Sequence, residues 1–69
     1  MEDIFRVFDI HNMIADGVVE TCTNDDNKIY YRREMENQDY VENFFINYLW
    51  GLPGWKSKVI GNTVLFWEV

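Results

Sequence analysis

The stretch NQDYVENFFINYLWGLP, residues 37–53, decides how this chain folds. Asn37 is a residue type that caps helix starts, because its side-chain oxygen accepts from a first-turn amide that has no intrahelical partner. Gly51 suits the left-handed residue that ends a helix, and Pro53 cannot continue one. The spacing therefore predicts a helix over 38–50. At about 100° per residue, Tyr40, Val41, Phe44, Phe45, Tyr48 and Leu49 fall within half the circumference and mark its buried face. Glu36 and Asp39 complement the positive end of its dipole.

Working outward, 56–60 and 63–69 flank Gly61 and Asn62, a two-residue turn whose leading glycine suits type II′ hairpin geometry. In that register Val59 faces Val64, and Phe66 and Trp55 share their side, while Lys56, Lys58, Leu65, Trp67 and Val69 take the other. Upstream, 17–23 and 28–35 are rich in Val, Thr, Ile and Tyr. Asn24, Asp25, Asp26 and Asn27 separate them as a polar turn, giving a second hairpin. In the first fourteen residues, Ile4, Val7, Phe8, His11 and Ile14 suit a helix, whereas Phe5, Val7 and the β-branched content suit a strand. We read a strand over 4–10. The expected fold is α+β: a single antiparallel sheet of four or five strands, built from two hairpins, with one helix packed on one face.

Sixty-nine residues make one domain, near the size limit for folding without disulfides or metals, and 48% hydrophobic content excludes a disordered chain. A single cysteine, Cys22, forms no internal disulfide, so no oxidising compartment is required. The opening Met1-Glu2-Asp3 carries acid where an export signal needs base, and no apolar run approaches the ~20 residues of a bilayer span. These features give the expectation of a cytoplasmic chain with no membrane partner. Twelve acids against six bases leave a net charge of −6. Nucleic-acid binding relies on Lys and Arg displacing counterions, so direct contact with DNA or RNA is disfavoured and a basic protein surface is the expected partner.

Residue counting argues against most reaction chemistry, giving the expectation of no enzyme and no cofactor. One histidine and one cysteine cannot supply the four Cys or His ligands of a structural zinc site. Asp9 and His11 are spaced like a metal-binding dyad, with no second histidine to complete it. Asp25, Asn27 and Glu36 match three positions of an EF-hand loop, but Tyr30 stands where glycine is required. Cys22 and Ser57 have no adjacent base, and the four glycines form no phosphate loop. Carboxylate pairs abound, but so short a chain rarely encloses a substrate.

Three surfaces remain as contact candidates. On the helix wheel Ile46 and Trp50 fall on the polar side among Asp39, Glu42 and Asn43, within a sector of about 80 to 100°, the composition of an aromatic anchor in a charged rim. Leu65, Trp67 and Val69 would form an apolar outer sheet face suited to a homodimer, leaving the chain a monomer or a dimer by this route. The acids Asp25, Asp26, Glu34, Glu36, Asp39 and Glu42, if they share a side, would imitate a row of phosphates, although Arg32 and Arg33 interrupt them. In size and charge the chain resembles the small acidic inhibitors of phages and other mobile elements, anti-CRISPR proteins among them. That resemblance implies an inhibitor, a DNA mimic in the broad sense, that occupies the nucleic-acid-binding surface of a nuclease or similar protein.

Overall fold

The computed structural model describes residues 3–69, and of Asp3 the backbone alone; Met1 and Glu2 lie outside the described residues. The chain runs through α1 (Asp3–Ala15), β1 (Glu20–Thr23), β2 (Ile29–Glu34), α2 (Gln38–Phe44), a π-helical segment (Phe45–Leu49), β3 (Trp55–Ile60) and β4 (Thr63–Glu68). The strands form one sheet in the order β1-β2-β4-β3 with every neighbouring pair antiparallel. The class is α+β. Since β2 and β3 both run against β4, they are parallel to one another, and α2 links them across it in a split βαβ arrangement.

The expected hairpin over 56–69 forms in the expected register, with Val59 opposite Val64 and Ile60 opposite Thr63. Gly61 has φ 60° and Asn62 is not among the positive-φ residues, the sign pattern of a II′ turn. The first hairpin also forms, shorter than expected, because 17–19 lie outside the ladder. Its turn is held by Asn24, whose Oδ1 accepts from the amides of Asp26 (2.9 Å) and Lys28 (3.0 Å). Polar turn chemistry thus accounts for the acidic tip that resembled part of a calcium loop.

The strand expected over 4–10 is instead the first two turns of α1. Val7, Ile10, Met13 and Ile14 recur at helical spacing and pack into the core, where Ile10 is fully buried. Both helices lie on the same side of the sheet: Phe44 of α2 meets Phe66 of β4, and His11 of α1 meets Trp55 of β3 edge to face. The core between the layers is Ile10, Val19, Val41, Phe44, Leu49, Leu52, Val64 and Phe66. Among the described residues no helix covers the opposite sheet face. The strand that ends beside Val69 is not an edge, since β4 is flanked by β2 and β3, and the edges are β1 and β3.

Asn37 caps α2 as expected, its Oδ1 accepting from the amide of Tyr40 at 3.1 Å, and Gly51 takes φ 68° after the last turn. Tyr40, expected on the buried face, stays half exposed at its margin. The expected uniform helix over 38–50 changes character at Phe45, where the amide of Trp50 bonds to the Phe45 carbonyl five residues back at 2.8 Å. Packing explains the change. In an α-helix Leu49 would stand about 110° from the mean direction of Val41 and Phe44. At the roughly 4.4 residues per turn of an i→i+5 spiral, it comes to about 40° from that direction. Leu49 is buried accordingly.

Candidate interaction surface

Trp50 is 66% exposed and Ile46 51% exposed, so Trp50 does not fold over the Leu52–Gly54 turn to complete the core. Trp55 fills that role, with its ring centroid 6.1 Å from both Tyr31 and Phe66. Asp39, Glu42 and Asn43 are exposed on the same helix. The π segment sharpens this surface: in α geometry Glu42, Ile46 and Trp50 would spread over about 80°, and the wider spiral narrows the spread to about 30°.

The acid row does not assemble as expected. Asp25 and Asp26 occupy the β1–β2 turn, at the end of the sheet where β3 begins, whereas Glu34 is the last residue of β2, at its opposite end, and Glu36 follows it. Glu34 alternates onto the uncovered sheet face, where Arg32 reaches it at 3.4 Å and Glu20 at 3.3 Å. Arg33 points the other way, its guanidinium lying over the Phe44 ring at 5.2 Å and reaching Met13 Sδ at 3.7 Å. Neither arginine is paired with Asp39 or Glu42 in these contacts, so the strand arginines leave the α2 acids unneutralised.

Charge is partitioned between the layers. The helical stretches 3–16 and 36–50 contain six acids (Asp3, Asp9, Asp16, Glu36, Asp39 and Glu42) against the single base Arg6, a balance of −5. The strand and turn stretches 17–35 and 51–69 contain five acids and five bases and balance to zero. Glu2 supplies the remaining charge.

The two helices run in opposite senses, and the Arg6 guanidinium near the start of α1 donates to the Trp50 carbonyl at the end of the π segment. An open concavity between them is lined by Arg6, Ile46, Asn47, Trp50 and Gly51. Elsewhere on its surface α1 exposes Ile4 (72%), Phe5 (62%) and Phe8 (64%), and at about 100° per residue Ile4 and Phe8 lie on the far side of the helix from Arg6. Sequence reasoning did not single out these three as exposed. The available signal was a surplus: one buried face of α1 uses four apolar side chains, and this helix has seven large ones.

On the uncovered sheet face Leu65 and Trp67 are half-buried among Tyr30, Lys56 and Lys58, while Val69 is 75% exposed. Lys56 stands opposite Trp67 in register. Asp9 and His11 are exposed on α1, and Cys22 is half-buried on β1. Among the described residues no three His, Cys, Asp or Glu side chains are grouped to hold an ion, and no helix is long and apolar enough to cross a membrane. Comparison with protein-family models, curated proteins and solved structures gives no match.

Proposed function

We propose that this chain is a protein-binding module that occupies a basic surface of another protein, acting as an inhibitor of a nuclease or other nucleic-acid-binding protein, and that it performs no turnover of its own. The observation that carries the reading is the charge partition: almost the whole excess of acid lies in the helical stretches, the same ones that expose Ile46 and Trp50. Acids steer an oppositely charged partner and set orientation, and a desolvated aromatic supplies the tight contact. Asp39, Glu42, Asn43, Ile46 and Trp50 are the contact residues, with Glu36 at the rim.

The experiment is affinity capture from a native-host lysate, comparing the wild-type chain with the Trp50→Ala/Glu42→Lys double variant at about 0.1 and 1 M salt, where the screening length falls from ~10 to ~3 Å. A folded double variant that loses the captured protein, with capture by the wild type weakened at high salt, supports the reading. Retention of the same protein by the double variant refutes the site. A second reading, a homodimer through Leu65, Trp67 and Val69, is favoured by the uncovered sheet face. Sedimentation showing a salt-insensitive dimer that Trp67→Ala dissociates would establish it.

A further inference from the structure

We propose that the uncovered sheet face is self-complementary in charge, and that two copies of the chain meet on it about a two-fold axis running along the strands between β2 and β4. This deepens the homodimer reading and rests on it. In that arrangement β1 of each copy lies over β3 of the other. Glu20 then faces Lys58 of the second copy, twice per dimer, and Tyr30 faces its Trp67.

Three observations support this pairing. The first is the layout of the face, which the register fixes. Glu20, Arg32, Leu65 and Lys58 form one row across the four strands, because each is the cross-strand neighbour of the next. Two residues along, Cys22 pairs with Tyr30 and Trp67 with Lys56, and Tyr30 and Trp67 line one cleft. Tyr30, Leu65 and Trp67 thus stand on the central strands, whereas Glu20 lies on the β1 edge and Lys56 and Lys58 on the β3 edge. An apolar centre with a charged rim is the anatomy of an interface.

The second is the sign of the charge at each edge. Arg32 reaches one carboxylate oxygen of Glu20 and one of Glu34, and both glutamate side chains stay 67% exposed. That group carries one net negative charge beside β1 and β2. Lys56 and Lys58 enter no ion pair and leave two positive charges on β3. Two kinds of axis can lay the face on itself, and the charges choose between them. An axis along the strands sets Glu20 against Lys58, whereas an axis across them sets β1 over β1 and lysine against lysine.

The third is where the remaining charge goes. The helical stretches that balance to −5 lie on the far side of each sheet. With stacked sheets ~10 Å apart and a helix layer outside each, those layers end on the order of 30 Å apart, about three screening lengths at 0.1 M salt. The acidity of the chain therefore opposes pairing through the helices far more than pairing through the sheet. Size sets the strength expected: four strands ~4.8 Å apart and about 20 Å long project roughly 400 Å². That places the pair among transient interfaces, with dissociation in the micromolar range.

The experiment is sedimentation equilibrium of the full chain from micromolar to submillimolar concentration, at neutral pH and about 0.1 M salt. Wild type should dimerise. Lys58→Glu sets like charges together at both Glu20 contacts, and Glu20→Lys does so at both Lys58 contacts, so each variant alone should pair at least about tenfold more weakly. An equal mixture of the two variants restores opposite charges at both contacts and should pair at least about tenfold more tightly than either alone. Recovery in the mixture also shows that both variants are folded. A wild type that stays monomeric throughout overturns this proposal and the homodimer reading together. A dimer that Trp67→Ala dissociates, but that neither charge reversal weakens or whose mixture gains nothing, leaves the homodimer reading standing and overturns the axis. A dimer lost with Phe5→Ser/Phe8→Ser and kept with Trp67→Ala overturns both, because the contact would then lie on α1.

Discussion

Truncating Trp50 and Trp55 separately distinguishes a contact residue from a core residue of the same type five positions away. Trp50 is 66% exposed, so about a third of its ~250 Å² is hidden, and at ~25 cal/mol per Å² its removal costs at most about 2 kcal/mol. A compact unfolded chain already hides part of that area, which brings the expected cost of Trp50→Ala to about 1 kcal/mol. Trp55 is largely enclosed and makes ring contacts with His11, Tyr31 and Phe66 at 6.3, 6.1 and 6.1 Å. Its truncation falls in the range for large core residues, about 3 kcal/mol. A chain of this length has roughly 3 to 10 kcal/mol in total, so Trp55→Ala should sit near the edge of folding while Trp50→Ala remains well folded. Urea unfolding followed by far-ultraviolet circular dichroism avoids a fluorescence signal that the substitutions themselves alter. With a urea slope near 1 kcal/mol per M, the midpoints should fall by about 1 M and about 3 M, with Trp55→Phe between them. Equal losses for the two alanine variants would refute the reasoning, because Trp50 would then belong to the core.

Removing the α2 cap with Asn37→Ala should cost about 1 kcal/mol and lower the melting temperature by roughly 4 to 8 °C; a thermal scan showing no change would mean that the Asn37–Tyr40 bond does not hold the helix start. The neighbouring arginines should differ in the same assay. Arg32→Ala breaks ion pairs to exposed glutamates and should cost under about 1 kcal/mol, whereas Arg33→Ala removes a guanidinium and its stem from between Met13 and Phe44 and should cost about 2 kcal/mol. Reversal of that order would contradict the alternation of β2.

The features read correctly from the sequence are those fixed by local chemistry. Asn37 and Gly51 bound the helical run because capping and a left-handed φ are properties of one or two residues. Gly61 and Asn62 set the β3–β4 register for the same reason, and with it the sides on which Val59, Val64 and Phe66 lie. The π segment is different in kind: nothing in FINYL announces it, and the gain comes from turning Leu49 towards a core made by distant strands. The exposed sector of Ile46 and Trp50 was legible from a helix wheel, but its narrowness was not, since it follows from that same widening of the spiral. The acid row failed because sequence neighbours were taken as spatial neighbours. Strand β2 separates the Asp25–Asp26 turn from Glu34 by the length of the sheet, and alternation sends Glu34 to the face away from the helices.

The misreading of α1 has a physical origin in its own composition. A helix that only packs on a sheet shows an apolar stripe and a polar back, and the period is plain. In α1 Ile4, Phe5 and Phe8 fill the back as well, so the pattern blurs and β-branched content tips the reading towards a strand. Those three side chains add little to folding, because most of their surface remains in water. They also raise the tendency to self-associate, which the acids of the same layer oppose by mutual repulsion between copies. On the proposed reading, the acids that keep copies of the chain apart at the helix layer are also the groups that draw a basic partner to it.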